Sequence, residues 1–151
     1  MARSLFLFAA AMVSMLSAVA AAQIQNDSQR ATQQVSLWAG ISVPQTVFNE
    51  AQAKKLQVSF AVVNDGNSTV NPKIGVSHLS INGVEPKDWP IIIINGLHSP
   101  EFFALPPGHD VTFGYQLGDR YFAKPGVYTV RWWGDNFTAA PITFRVLPDN
   151  R

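Results

Sequence analysis

The sequence predicts an all-β domain, on three observations. The strong hydrophobic periodicities repeat every second residue, which places alternate side chains on opposite faces of strands. Turn-forming clusters separate these runs at short intervals. Ten glycines and ten prolines all fall after residue 39, a density that suits many tight connections without reaching disordered composition.

The elements follow in chain order. A weak strand is expected around Val35 to Ala39, and Asn49 to Lys55 has the makings of a single helical turn. Leu56, Val58, Phe60 and Val62 alternate with Gln57, Ser59 and Ala61 in a half-buried strand. Ile74 to Ile81 reads as a strand whose apolar phase slips between Val76 and Leu79, so a bulge or bend is expected near His78. Pro90 to Ile94 is expected as a strand. Val111, Phe113, Tyr115 and Leu117 form another alternating run, as do Ile142, Phe144 and Val146, and Val127 to Trp133 supplies a further strand. Asn64-Asp65-Gly66-Asn67, Asn82-Gly83, Asn95-Gly96, Pro106-Pro107-Gly108 and Lys124-Pro125-Gly126 are the turns between them. Short strands with such punctuation make a sandwich or a barrel.

Gly126-x-Tyr128-x-Val130, following Lys124-Pro125, resembles the corner that opens strand F of immunoglobulin-like sandwiches, where the tyrosine hydroxyl bonds back to the backbone of the preceding loop. The resemblance spans Val35 to Leu147 and implies an immunoglobulin-like antiparallel β-sandwich of about seven strands. In that family a cysteine often stands two residues after the tyrosine. Here Val130 does, and the chain has no cysteine, so the resemblance is to the disulfide-free branch. It implies a fold and no activity.

Residues 1–22 have the order of a signal peptide. Arg3 gives the positive start, Leu5 to Val19 is apolar apart from Ser14 and Ser17, and Ala18-Val19-Ala20 and Ala20-Ala21-Ala22 both offer a small-x-small cleavage site, the second being preferred and leaving Gln23 first. The apolar run of about 15 residues is shorter than the roughly 20 that a membrane-crossing helix needs, so no stable anchor is expected after cleavage. Gln23 to Gln34 is polar and reads as a flexible lead, with the β-domain occupying 35–151. A secreted or periplasmic location follows.

Cleavage also removes Met1, Met12 and Met15, all the methionines of the chain. The remainder has no sulfur ligand, which excludes blue-copper sites, thiol redox centres and Cys-bound zinc. With Arg3 removed, ten basic residues balance ten acidic ones, and no basic stripe is present for nucleic acid.

Catalytic chemistry finds little support. His78, His98 and His109 could form a three-histidine zinc site, yet their spacing matches no compact ligand motif. Ser77 or Ser80 with His109 and Asp110 would sketch a hydrolase triad, but neither serine has the small flanking residues of a nucleophile elbow. Neither a catalytic residue nor a cofactor is expected, and a metal-dependent hydrolase is the weakest alternative. Asn26, Asn67 and Asn136 each open an Asn-x-Ser/Thr sequence, an acceptor pattern in a eukaryotic secretory route and turn chemistry elsewhere.

Exposed aromatic residues give the best hint of function. If Tyr128, Val130 and Trp132 point inward, alternation turns Arg131 and Trp133 outward, and the loop that follows adds Asp135, Asn136 and Phe137. These five residues are the candidate contacts for an unknown protein or polysaccharide ligand. Trp89 is expected as a second exposed tryptophan. A narrower resemblance is to chagasin-like cysteine-protease inhibitors: Asn71-Pro72-Lys73-Ile74-Gly75 is similar to their first inhibitory loop and Arg131-Trp132-Trp133 to their last. It implies protease inhibition as an alternative role. The departures are Val76 and His78 in place of aromatics, the missing glycine-rich middle loop, and an Arg131 within a strand.

Overall fold

The computed structural model describes residues 36–149. The signal peptide expected at 1–22 and the flexible lead at 23–34 lie outside the described residues. Seven strands, β1 (Leu37–Ser42), β2 (Val47–Asn49), β3 (Gln57–Asn64), β4 (His78–Ile81), β5 (Asp110–Gln116), β6 (Gly126–Trp133) and β7 (Ile142–Leu147), form two sheets of order β1-β3-β5 and β2-β7-β6-β4. All pairings are antiparallel except β2 with β7.

This strand order is that of an immunoglobulin-like sandwich. The first strand divides between the sheets, with β1 against β3 and β2 running parallel to β7. Strands β4, β6 and β7 take the places of C, F and G, while β3 and β5 take those of B and E. The expected corner is present: the Tyr128 hydroxyl donates to the Lys124 carbonyl at 2.8 Å. With no cysteine to bridge the sheets, aromatic packing joins them. Phe60 of β3 meets Trp132 of β6 edge-on at 5.0 Å between ring centroids, and Phe113 of β5 reaches the same indole at 5.9 Å. Each such buried ring contributes about 1.5–3 kcal/mol by leaving water.

Three short helices fill the connections. In α1 (Glu50–Lys54) the Asn49 side chain accepts from the Gln52 backbone while the Gln52 side chain accepts from the Asn49 backbone, a capping box that explains a helix of five residues. Gly118, which begins α3 (Gly118–Tyr121), lies so close beneath α1 that a Cβ there would stand 1.9 Å from the Ala53 carbonyl oxygen.

Helix α2 (Trp89–Ile94) overturns two expectations. Pro90 to Ile94 is not a strand, because Pro90 falls in the first helical turn, where its missing N–H costs nothing. A helix also brings Trp89 and Ile93, four residues apart, onto one face, where they are 2% and 0% exposed. Trp89 is therefore a core residue and not an exposed one. That burial outweighs the strand preference of four β-branched residues in a row.

The expected strand Ile74 to Ile81 is also divided. Lys73 adopts φ 56°, Ile74–Val76 forms one 3-10 turn, and β4 begins only at His78, which accounts for the slipped phase. Asp88, ahead of α2, is held by Tyr121 (Oη–Oδ1 2.6 Å) and by Arg120 from α3. The Tyr121 hydrogen bond keeps the Asp88 carboxyl below the ordinary carboxylate range against a contrary push from burial, with Arg120 adding to the lowering. Burial, and then Asp88, push the Tyr121 phenol up.

Candidate functional site

Strand β6 runs Val130 inward, Arg131 outward, Trp132 inward and Trp133 outward, as alternation requires. Trp132 is fully buried. Its indole N–H donates to Ser77 Oγ at 2.9 Å, and the Trp89 indole donates to the Ser77 carbonyl at 2.9 Å, so one serine anchors both buried tryptophans. The cross-strand register sets His78 opposite Trp133 and Ser80 opposite Arg131. Consequently the His78 and Trp133 rings lie nearly parallel on the outer face of the second sheet, 10° apart with centroids separated by 5.4 Å.

His78 Nδ1 meets Glu85 Oε2 at 3.1 Å, so the Trp133–His78 pair continues into a carboxylate on the next loop. Beyond His78 a cleft of about 470 Å³ follows the free edge of β4, lined by Val76, His78, Glu85, Pro86, Lys87 and Pro90 among others. Its size lies within the range of small-ligand sites. Arg131 is exposed on the row beside Trp133, and its side chain makes no hydrogen bond or ion pair among the described residues.

The loop after β6 has a different construction from the one its composition implies. Asp135 pairs with Lys73 at 3.1 Å and so ties the β3–β4 and β6–β7 loops together at one end of the sandwich. Both side chains are more than half exposed, and such a pair contributes at most about 1 kcal/mol. Asn136 is exposed at the loop tip. Phe137 is not a surface contact: it is 5% exposed and packs on Trp132 at 4.6 Å. The Phe137 ring lies so near Gly134 that a Cβ there would approach it to 2.7 Å, which explains the glycine. Of the five candidates, Arg131 and Trp133 thus point outward from β6, Asp135 and Asn136 are exposed in the loop after it, and Phe137 packs inward on Trp132.

Their neighbours include His78 against Trp133, Glu85 bonded to His78, and Lys73 paired with Asp135. The sequence singles out two of them for other roles, His78 as a zinc ligand and Lys73 in the inhibitor-like loop. The slipped phase marks a bend near His78, but only the register of β4 on β6 sets it beside Trp133.

The residues of the alternative chemistries have other partners. Ser77 and Ser80 belong to the second sheet and its approach, while His109 precedes β5 and Asp110 opens it in the first. Ser77 Oγ is engaged by Trp132, and Asp110 accepts from Thr112 Oγ1 at 3.2 Å. His98 stacks on Phe102, while His78 pairs with Glu85. Among the described residues no three His, Asp or Glu side chains gather as a metal site. Arg131 sits mid-sheet, paired with Ser80, and not at a loop tip.

No family model matches the chain, and no curated protein matches it. Among solved structures, it is similar to the CARDB domain of a Pyrococcus furiosus protein. A solution NMR structure of that domain is 18% identical, with 76% of this chain and 97% of that one covered and a TM-score of 0.45. A crystal structure of it in complex with di-metal ions is 17% identical, with 78% and 97% covered and a TM-score of 0.48. It is the strand order of this chain and its tyrosine corner that make it an immunoglobulin-like sandwich.

Proposed function

We propose that the protein is an exported, non-catalytic binding domain that holds an extracellular polysaccharide against Trp133. The carrying observation is the parallel His78–Trp133 pair, with His78 about half exposed and Trp133 partly buried, between an uncommitted Arg131 side chain and a cleft of about 470 Å³. A sugar ring presents C–H groups on one face and hydroxyls around its rim. A flat aromatic surface accepts the first, and Arg131, Glu85 and Lys87 offer hydrogen bonds to the second. The signal-peptide order of the sequence at residues 1–22 supports export, and the absence of a metal cluster among the described residues supports binding without turnover.

The test is affinity electrophoresis of the purified protein through gels containing neutral and acidic polysaccharides, with Trp133→Ala and Arg131→Ala alongside. Retardation by at least one polymer is expected, weakened about tenfold or more in Trp133→Ala, as for loss of a central aromatic contact. Equal retardation of wild type and Trp133→Ala removes the site. Capture of one envelope protein, abolished by Trp133→Ala, keeps the surface and replaces the polysaccharide by a protein ligand.

A further inference from the structure

We propose that β5 is a pairing edge through which two copies of this chain join their first sheets into one continuous six-stranded sheet. In the order β1-β3-β5, strand β5 has a neighbour on one side only. Two hydrogen bonds fix which of its main-chain groups face outward: Asn64 N–H donates to the His109 carbonyl, and Leu117 N–H donates to the Leu56 carbonyl. In the antiparallel register between them, Val111, Phe113 and Tyr115 turn their amides and carbonyls toward β3. Asp110, Thr112, Gly114 and Gln116 turn theirs away, toward an edge where no backbone partner is present among the described residues.

Native sheets protect such edges with lysine, proline, bulges or a covering strand. β5 has none of the first three. Its only charge is Asp110, at its first residue. In an immunoglobulin-like sandwich strand D can cover this edge. Here the chain before β5 runs instead through α2 and a 3-10 turn, and its one bridge joins Leu105 to Val70.

A second observation lies beside the edge. Ile91, Ile94, Leu97 and Phe103 are 68%, 60%, 105% and 57% exposed, an apolar ledge on the segment that replaces strand D. Tyr115 Oη donates to the Ile93 carbonyl at 2.9 Å and Phe102 packs on Phe113 at 5.7 Å, so the ledge borders the core-facing side of β5. Clusters of exposed aliphatic and aromatic side chains mark association surfaces.

The strand is complementary to itself. A two-fold axis through Phe113 sets Asp110 opposite Gln116 and Thr112 opposite Gly114, so outward-turned groups meet outward-turned groups and no like charges face each other. Four such pairs would form about eight main-chain hydrogen bonds. The axis also brings each ledge beside its counterpart. A foreign extended peptide would satisfy the edge but leave the ledge in water, whereas a second copy covers both. Trp133 itself stands on β6 of the other sheet, outside both the β5 edge and the ledge.

The experiment is sedimentation velocity on the purified full chain at concentrations up to roughly 200 µM, with amide hydrogen exchange at the two ends of that range. A monomer–dimer equilibrium is expected, with Thr112 and Gly114 amides exchanging more slowly as dimer accumulates. Two variants address the edge and the ledge separately. Thr112→Pro removes an N–H that only a partner strand would use, and Leu97→Asp charges a side chain without contacts to lose. Each is expected to weaken association about tenfold or more, and Leu97→Asp should do so with the melting temperature unchanged. A monomer at every concentration overturns the proposal, as does a dimer that Leu97→Asp leaves intact. Thr112 and Gly114 amides that become protected only when envelope extract is added overturn it in favour of a foreign strand.

Discussion

Ser77 offers a quantitative test of how the two sheets are held together. Its hydroxyl accepts the Trp132 indole N–H at 2.9 Å, at a serine 4% exposed and a tryptophan 0% exposed. Ser77→Ala removes one oxygen and leaves that N–H buried without a partner, while the carbonyl that receives Trp89 stays in place. An abandoned buried donor costs about 1–3 kcal/mol, and the space left by one oxygen adds little. For a domain of this size each kcal/mol lowers the melting temperature by roughly 4 °C, giving a fall of about 4–12 °C. Urea denaturation followed by tryptophan fluorescence measures the change. The hydrogen-bond term is separated from packing by a second pair of proteins, Trp132→Phe with and without Ser77→Ala. With no indole N–H to strand, Ser77→Ala should then cost less than about 0.5 kcal/mol. A loss under about 0.5 kcal/mol in the wild-type background, or the same loss in both backgrounds, refutes the reasoning.

Two further outcomes follow from buried or linked polar groups. Asn64, fully buried, donates from its amide to the carbonyls of Ser68 and Leu105 and accepts from the Gly66 N–H, so Asn64→Ala should destabilise by about 2–4 kcal/mol in urea unfolding; a change under about 1 kcal/mol would show the loop holding itself. Asp88 is more acidic folded than unfolded, principally through Tyr121, so its contribution is complete above about pH 4 and is lost as pH falls through the lowered folded value. Asp88→Asn should therefore narrow the stability gap between pH 6 and acid, read as melting temperature against pH, and parallel curves for the two proteins would contradict the linkage.

The fold was legible wherever one face of a strand meets the core and the other meets water. β3, β6 and β7 follow their alternating residues, because a one-residue slip would expose Phe60, Trp132 or Phe144. Alternation fails where the side chains answer to other neighbours. Four consecutive isoleucines carry no period, and α2 is decided by a proline at its first turn and by the space for Trp89 between β3 and Ser77. In the same way the strand from Ile74 gives way to a 3-10 turn because Lys73 takes a left-handed conformation stabilised by an Asn71 side-chain hydrogen bond at 2.8 Å.

The candidate site shows the same division residue by residue. Arg131 and Trp133 stand on β6, where the inward position of Val130 and Trp132 forces them outward, so sequence suffices to place them. Phe137 stands four residues beyond the strand, where backbone direction changes and no parity survives, and it turns back onto Trp132. His78 becomes visible only through pairing, because what sets it beside Trp133 is the register of β4 on β6, a relation between residues 55 positions apart. A binding surface assembled across strands is therefore half readable: each strand declares which residues face out, and only the register declares which of them meet. The parity argument extends to main-chain groups, whose direction follows from two hydrogen bonds at the ends of β5, and that is what exposes its unpartnered edge.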